Sequence, residues 1–264
     1  MQPSRFLQCL SADYERIRAV VPGHLDAPVP TCPDWTVRDL TQHVGAVYLH
    51  KATTLRDGKQ PTDWPPPGIN DEDPVELLDR AYAEMVEQLT SRNPEDPSET
   101  WYPPEQTVGF WIRRMAQESV IHRIDAELGV GVPVAAIPDD LAIDGIDELL
   151  KLFVAFNMVK WPEDLAEALD GSVGHACKIT SGSSAADTVF WRVETSPATL
   201  TVLGGPTASP PAAATADVTV SGTPAAVLRW AWNRETPGQP SGVAIEGDLN
   251  ALAEFRRCVV LSTQ

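Results

Sequence analysis

Glu118 and His122 are the first residues here whose types and spacing could do chemistry. They stand four apart in FWIRRMAQESVIHRIDAEL, Phe110 to Leu128. On an α-helix that spacing stacks two side chains on one face, about 6 Å apart along the axis. Turning successive residues by about 100° places Trp111 and Met115 beside the pair, and Arg113, Arg123 and Glu127 opposite. The carboxylate therefore faces a core, where it needs a partner. His43, at the edge of the apolar arc of an earlier helix, can add a second imidazole. Two histidines and one carboxylate from neighbouring helices make a metal site that leaves the fourth position of a tetrahedral zinc open. With more open positions the same set suits ferrous iron. The plainer alternative is a Glu–His hydrogen bond that needs no metal. His50, two turns beyond His43, is either a fourth ligand or a hydrogen-bonded histidine, and His24 and His175 receive no assignment.

Four helical stretches can position these groups. Phe6, Leu10, Tyr14 and Ile17 recur at three- and four-residue intervals in residues 4 to 21, before Pro22-Gly23 stops the pattern. Thr36 with Asp39 resembles a capping box, so a second helix begins near Val37 and carries Leu40, Val44 and Val47 inward. Pro74 suits the first turn of a third, running to about Arg92 with Leu77, Leu78, Ala81, Met85 and Leu89 inside. The Glu118 helix is the fourth. A fifth, Asp139 to Lys160, is strongly apolar around LLKLFVAF. The Pro-rich loops at 57–74 and 93–104, with Trp64 and Trp101, either shape specificity or simply pack.

Beyond Trp161 the pattern changes. Short β-branched runs at 175–181, 187–194, 198–203 and 216–221, with a further strand at Val243 to Glu246, alternate with helices at Pro224 to Asn233 and Asp248 to Val260. GGPTASPPAAATA reads as a flexible surface loop. The fold class is thus an up-down helical bundle over 1–165 followed by a small α+β domain over 166–264.

Composition narrows the function. A formal charge of −17 and a pI of about 4.6 repel polyanions, so nucleic acid and anionic membranes are poor partners. The N-terminus has no signal-peptide run, and no stretch has the length of a membrane span. Cys9, Cys32, Cys177 and Cys258 form no C-x-x-C pair and read as reduced thiols of a cytoplasmic protein. Cys32, in a turn beside Pro33, could be a nucleophile only with a thiolate-stabilising site around it.

TCPDWTVRDLTQHVG, followed by ESVIHRIDAE, resembles the mycothiol-dependent maleylpyruvate isomerase family, which has a DinB-like helical bundle. ADVTVSGTPAAVLRWAWNR and GVAIEGDLNALAEF resemble that family's second domain, which is similar to sterol carrier proteins. The resemblance implies metal ligands at His43, Glu118 and His122 and a divalent metal, zinc first, iron or nickel as alternatives. It also implies mycothiol as thiol cosubstrate and a small electrophile as substrate. A metal-activated thiolate would isomerise an activated double bond or form a conjugate. A family arginine near the substrate carboxylate falls on Arg234 in WAWNR, with Asn233 where the family usually has glycine. Asp34 and Trp35 are assigned to the turn and start of the second helix ahead of a lining role in the pocket, Asp125 to orienting a ligand, and Arg123 to a surface or interhelical ion pair. The rival function is a non-catalytic small-molecule or lipid-binding module on a degenerate bundle. The expected protein is a cytoplasmic monomer or homodimer.

Overall fold

Apolar residues at helical spacing build the first part of the chain and β-branched alternation the last part. The computed structural model describes residues 1–263 except 185–186, 198, 209–214 and 240–241, with the backbone alone at 164–165. Residues 209–214 of the expected surface loop therefore lie outside the described residues, as does Ala198 at the start of the third expected strand. The chain divides into two units, Met1–Ala135 and Ala136–Gln264.

The first unit holds α1 (Pro3–Val20), α2 (Val37–Asp57), α3 (Pro74–Thr90) and α4 (Val108–Val130). Thr36 and Asp39 form the anticipated capping box: the Thr36 side chain accepts from Asp39 N and the Asp39 carboxylate accepts from Thr36 N at 2.8 Å. At the head of α3, Asp73 accepts from the backbone N–H groups of Val75 and Glu76, and Pro74 takes the first helical turn. Helices α2 and α3 pair closely, as do α1 and α4. Gly45 permits the first approach, since a Cβ there would lie 2.8 Å from Leu77 Cγ. Gly131, at φ 78°, ends α4 in the left-handed region.

Helix α4 is buried on every side, which corrects the two-sided picture. Arg123 and Glu127, placed opposite the core by angular spacing, are 1% and 0% exposed. The reason is that α1 packs on their face while α2 and α3 approach α4 from elsewhere. Arg123 Nε donates to Asp13 Oδ1 at 2.9 Å, and its Nη1 donates to Glu127 Oε2 at 2.9 Å and to Ala135 O at 2.8 Å. Arg16 Nε reaches Glu127 Oε1 at 2.7 Å. The ion pair is interhelical, as one of the two options for Arg123 had it, but it is not on the surface.

The second unit begins with α5 (Asp139–Glu148), which runs through a wider π-helical stretch, Leu149–Phe156, into α6 (Asn157–Lys160) and α7 (Pro162–Ala168). Then follow β1 (Ala176–Ser181), β2 (Val189–Ser196), β3 (Thr199–Gly204), β4 (Val218–Gly222), α8 (Pro224–Ala231), β5 (Val243–Gly247) and α9 (Leu249–Ser262). The five-stranded sheet has the order β3-β2-β1-β4-β5, with β1 and β4 parallel and the other pairs antiparallel. The two compact units divide at Ala135/Ala136, before the fifth helix, whereas the sequence pattern alone suggests a boundary near 165. The fifth helix packs on α8, and its π-helical continuation meets β3 and α9. Trp191, fully buried in β2, donates from Nε1 to Asp147 Oδ1 at 2.8 Å and ties α5 to the sheet. Among the described residues no helix is long and apolar enough to cross a membrane.

Candidate metal centre

The Thr36 cap sets the start of α2, and His43 follows about two turns later on the side facing α4. Thr107 caps α4 by accepting from Phe110 N at 3.2 Å, and Glu118 and His122 then stand one turn apart. His43 Nε2 lies 3.5 Å from Glu118 Oε1, and His122 Nε2 lies 3.2 Å from the same oxygen. All three donor atoms are within 4.8 Å of one another. The two imidazoles meet edge to face with ring centres 4.9 Å apart.

The donor set can be tested against a cation. Zinc bonds of 2.0–2.1 Å at tetrahedral angles hold ligand atoms about 3.4 Å apart. Two of the three separations, 3.5 and 3.2 Å, match that spacing. The third is no more than 4.8 Å. His122 Nδ1 lies 3.0 Å from Asp125 Oδ2, a contact that orients the ring and turns its Nε2 toward the cluster. Asp125 is fully buried and also accepts from Thr31 Oγ1. The residues present fit a divalent cation.

Charge concentrates on Glu118. Arg114, one turn before it, donates to Oε2 and leaves Oε1 to the imidazoles. Burial opposes the ionised carboxylate, but His122, Arg114 and the hydrogen bonds from both histidines hold it well below the usual carboxylate range. Burial likewise opposes an imidazolium at His122, yet Glu118 and Asp125 raise it to about 9. Lys51, with its Nζ 4.6 Å from the centre of the Trp111 ring, is pushed down to about 8 by burial against the attraction of Glu118.

His50 does not join the cluster: its Nδ1 lies 3.1 Å from Lys51 Nζ, and its ring packs edge-on against Trp64. Burial, then Lys51, lower it to about 4. On the outer side of His43 opens a cleft of about 520 Å³ whose walls include Asp34, Trp35, Gln42, Trp64 and Asn70. Asp34 and Trp35 thus take the lining role that the sequence placed second, and the Trp35 ring packs 4.9 Å from His43.

Residues 7–127 match the family model described as the mycothiol maleylpyruvate isomerase N-terminal domain, and residues 140–254 match the corresponding C-terminal domain. The chain belongs to the mycothiol-dependent maleylpyruvate isomerase family. Two solved structures share the fold, a His-to-Ala mutant of the mycothiol-dependent maleylpyruvate isomerase and that enzyme without the mutation. They align with TM-scores of 0.58 and 0.56 at 14% and 16% identity, each covering 93% of both chains. The comparison with curated proteins found no match.

Within this member of the mycothiol-dependent maleylpyruvate isomerase family, Arg234 lies in the second unit, in the turn after α8. Its Nη1 donates to Trp232 O at 2.8 Å, and Arg229 Nε donates to Arg234 O at 3.0 Å. Asn233, in the place of the usual family glycine, has φ 59°. Asparagine is among the few residues that enter this left-handed region readily, which suits it to this turn. Sequence reasoning missed Arg114, although the same four-residue rule that pairs Glu118 with His122 also points back to it. Thr31 and Lys51 carry no such signal, because only tertiary packing brings them to the site.

Proposed function

We propose that this chain is a mycothiol-dependent enzyme that isomerises a small unsaturated acid of the maleylpyruvate type. It would use a divalent cation, zinc foremost, held by His43, Glu118 and His122. The observation that carries this reading is the convergence of three donor atoms on one point between α2 and α4. Family membership supports the thiol and the substrate class. Bound there, the cation would lower the pKa of a thiol so that thiolate is present at neutral pH.

The chain's own groups do the rest. Asp125 orients the His122 ring, and Arg114 turns one Glu118 oxygen away so that the other stays available. Addition of thiolate to a cis double bond leaves a single bond that can rotate, and departure of the thiolate restores a trans double bond. Displacement of a leaving group would be the conjugating variant of the same chemistry. Arg234 is the proposed partner of a substrate carboxylate, a role that suits a planar two-pronged donor. The four cysteines, none in a disulfide, support a reducing, cytoplasmic setting.

The test is metal content of the purified protein and of His43→Ala, paired with thiol-dependent conversion of maleylpyruvate. Near-stoichiometric metal that vanishes with activity in the variant is the expected result. Metal-free wild type with unchanged thermal stability would reject the proposal and assign the bundle to a non-catalytic binding module.

A further inference from the structure

Beyond the cluster, α2 carries a partly buried cation that no carboxylate neutralises among the described residues. Lys51 stands about two turns after His43, roughly 12 Å further along the helix axis. Its Nζ lies 3.1 Å from His50 Nδ1 and 4.6 Å from the centre of the Trp111 ring. Neither neighbour cancels the charge. Trp111 is fully buried, and its indole N–H donates to Ser98 Oγ at 3.1 Å and Glu99 O at 3.0 Å, so its face is a fixed platform for an ammonium. His50 is neutral at pH 7, lowered to about 4 by burial and then by Lys51. Its Nδ1 accepts from the ammonium, whose other N–H groups have no polar acceptor among the described residues.

Other cations of the first unit are treated differently. Arg16, Arg18, Arg114 and Arg123 each pair with a carboxylate. A partly buried ammonium kept without such a partner is a place for an anion supplied from outside. The surrounding charge points the same way. Asp34 and Asp39 line the cleft outside His43, with no lysine or arginine among its lining residues, so that entrance disfavours anions. Near Lys51 the charges it feels are those of Glu118 and Arg114, which already pair with each other. The ammonium therefore leaves this end of the α2–α4 face net positive.

We propose that Lys51 is a specificity-determining residue, its ammonium receiving a carboxylate of the unsaturated acid at a point outside the acidic cleft. The assignment rests on the function proposed above and adds a carboxylate partner from the first unit to Arg234 in the second. The open N–H groups supply charge-assisted hydrogen bonds, and Trp111 fixes where the ammonium sits. Such a contact separates an acid from its neutral ester, because the ester leaves the ammonium uncompensated.

The probe is maleate, a dianion without a thiol, titrated by calorimetry and tryptophan fluorescence into the protein as purified and after chelation. Saturable binding is expected in both, weakened about ten- to a hundredfold by Lys51→Met and largely kept by Lys51→Arg. Methionine keeps an apolar stem over Trp111, and Lys51→Gln takes its place if the first variant fails to fold. Arg56→Met removes an equal charge from an exposed position of α2 paired with Asp57. It should leave binding within about twofold, which separates a contact at Lys51 from a general loss of positive field. In turnover, kcat/KM for the acid relative to its dimethyl ester should fall by about the same factor in Lys51→Met, chiefly through KM. A residue that only supports the fold would lower both substrates alike. No binding at tens of millimolar maleate, equal binding in wild type and Lys51→Met, or an unchanged acid-to-ester ratio would overturn the assignment. If metal and thiol turnover are absent while maleate still binds through Lys51, the anion site stands and only the reading of function is lost. If turnover stands and Lys51→Met binds maleate like wild type, only the Lys51 assignment is lost.

Discussion

Each oxygen of Glu118 has its own task, and that division is what makes the residue a candidate ligand instead of a closed ion pair. Oε2 takes Arg114, while Oε1 lies 3.5 Å from His43 and 3.2 Å from His122. Asp125 acts one bond further out by holding the His122 ring. Asp125→Asn keeps the shape and an acceptor but removes the charge behind the imidazole. Zinc affinity should fall about 10- to 100-fold, measured by competition with a chromophoric chelator. An unchanged affinity would reduce Asp125 to a packing residue. The pairing of Glu118 with His122 was legible because helical spacing is written in one dimension: the two share a face whatever surrounds them. The cleft was not. Trp35 and Trp64 come from two loops, and nothing in a proline-rich loop says that both indoles end near His43.

At the scale of elements, α4 is held at its far end by charge as well as by apolar packing. Glu127 has no exposure and accepts from Arg16, Arg123 and Ala135 N. Glu127→Gln would place an amide N–H against two guanidinium groups, and should cost roughly 3 kcal/mol in urea unfolding. A cost below about 1 kcal/mol would mean that the network contributes little. Asp13 supplies a pH signature. Burial raises it from 3.8 to about 6, outweighing the attraction of Arg123. Between those values the folded protein holds a proton that the unfolded chain has released, so its stability falls as pH rises from about 4 to about 6. The change amounts to at most about 3 kcal/mol. Asp13→Asn should flatten that part of the stability profile, and a profile still as steep would exclude Asp13 as its source. The extent of α4 was legible from its sequence, its surroundings were not. Angular spacing separates two faces, whereas this helix has neighbours on all of them.

The two units of the molecule divide the chemistry unequally. All three donors of the cluster, and the whole cleft, lie before Ala135, while Arg234 lies after it. Strand runs, helix starts and the change from helical to mixed structure were readable along the chain. The position of the change was not, because LLKLFVAF is as apolar as a bundle helix and its sequence does not reveal that it packs beside a sheet. The division at Ala135/Ala136 makes a prediction specific. A cation bound by groups from α2 and α4 stabilises the folded form of the first unit by RT ln(1 + [L]/Kd), about 2.7 kcal/mol at a hundredfold excess over Kd. Hydrogen exchange followed by mass spectrometry should therefore slow most in peptides spanning Val37–Asp57 and Val108–Val130 when zinc is added to chelated protein. Peptides of β1 to β5 should change far less. His43→Ala should abolish the difference while keeping the exchange pattern of the metal-free wild type, since His43 is half-exposed and contributes little to the core. Equal protection in the variant would mean that zinc binds elsewhere, and no protection in the wild type would remove the cation from the site altogether.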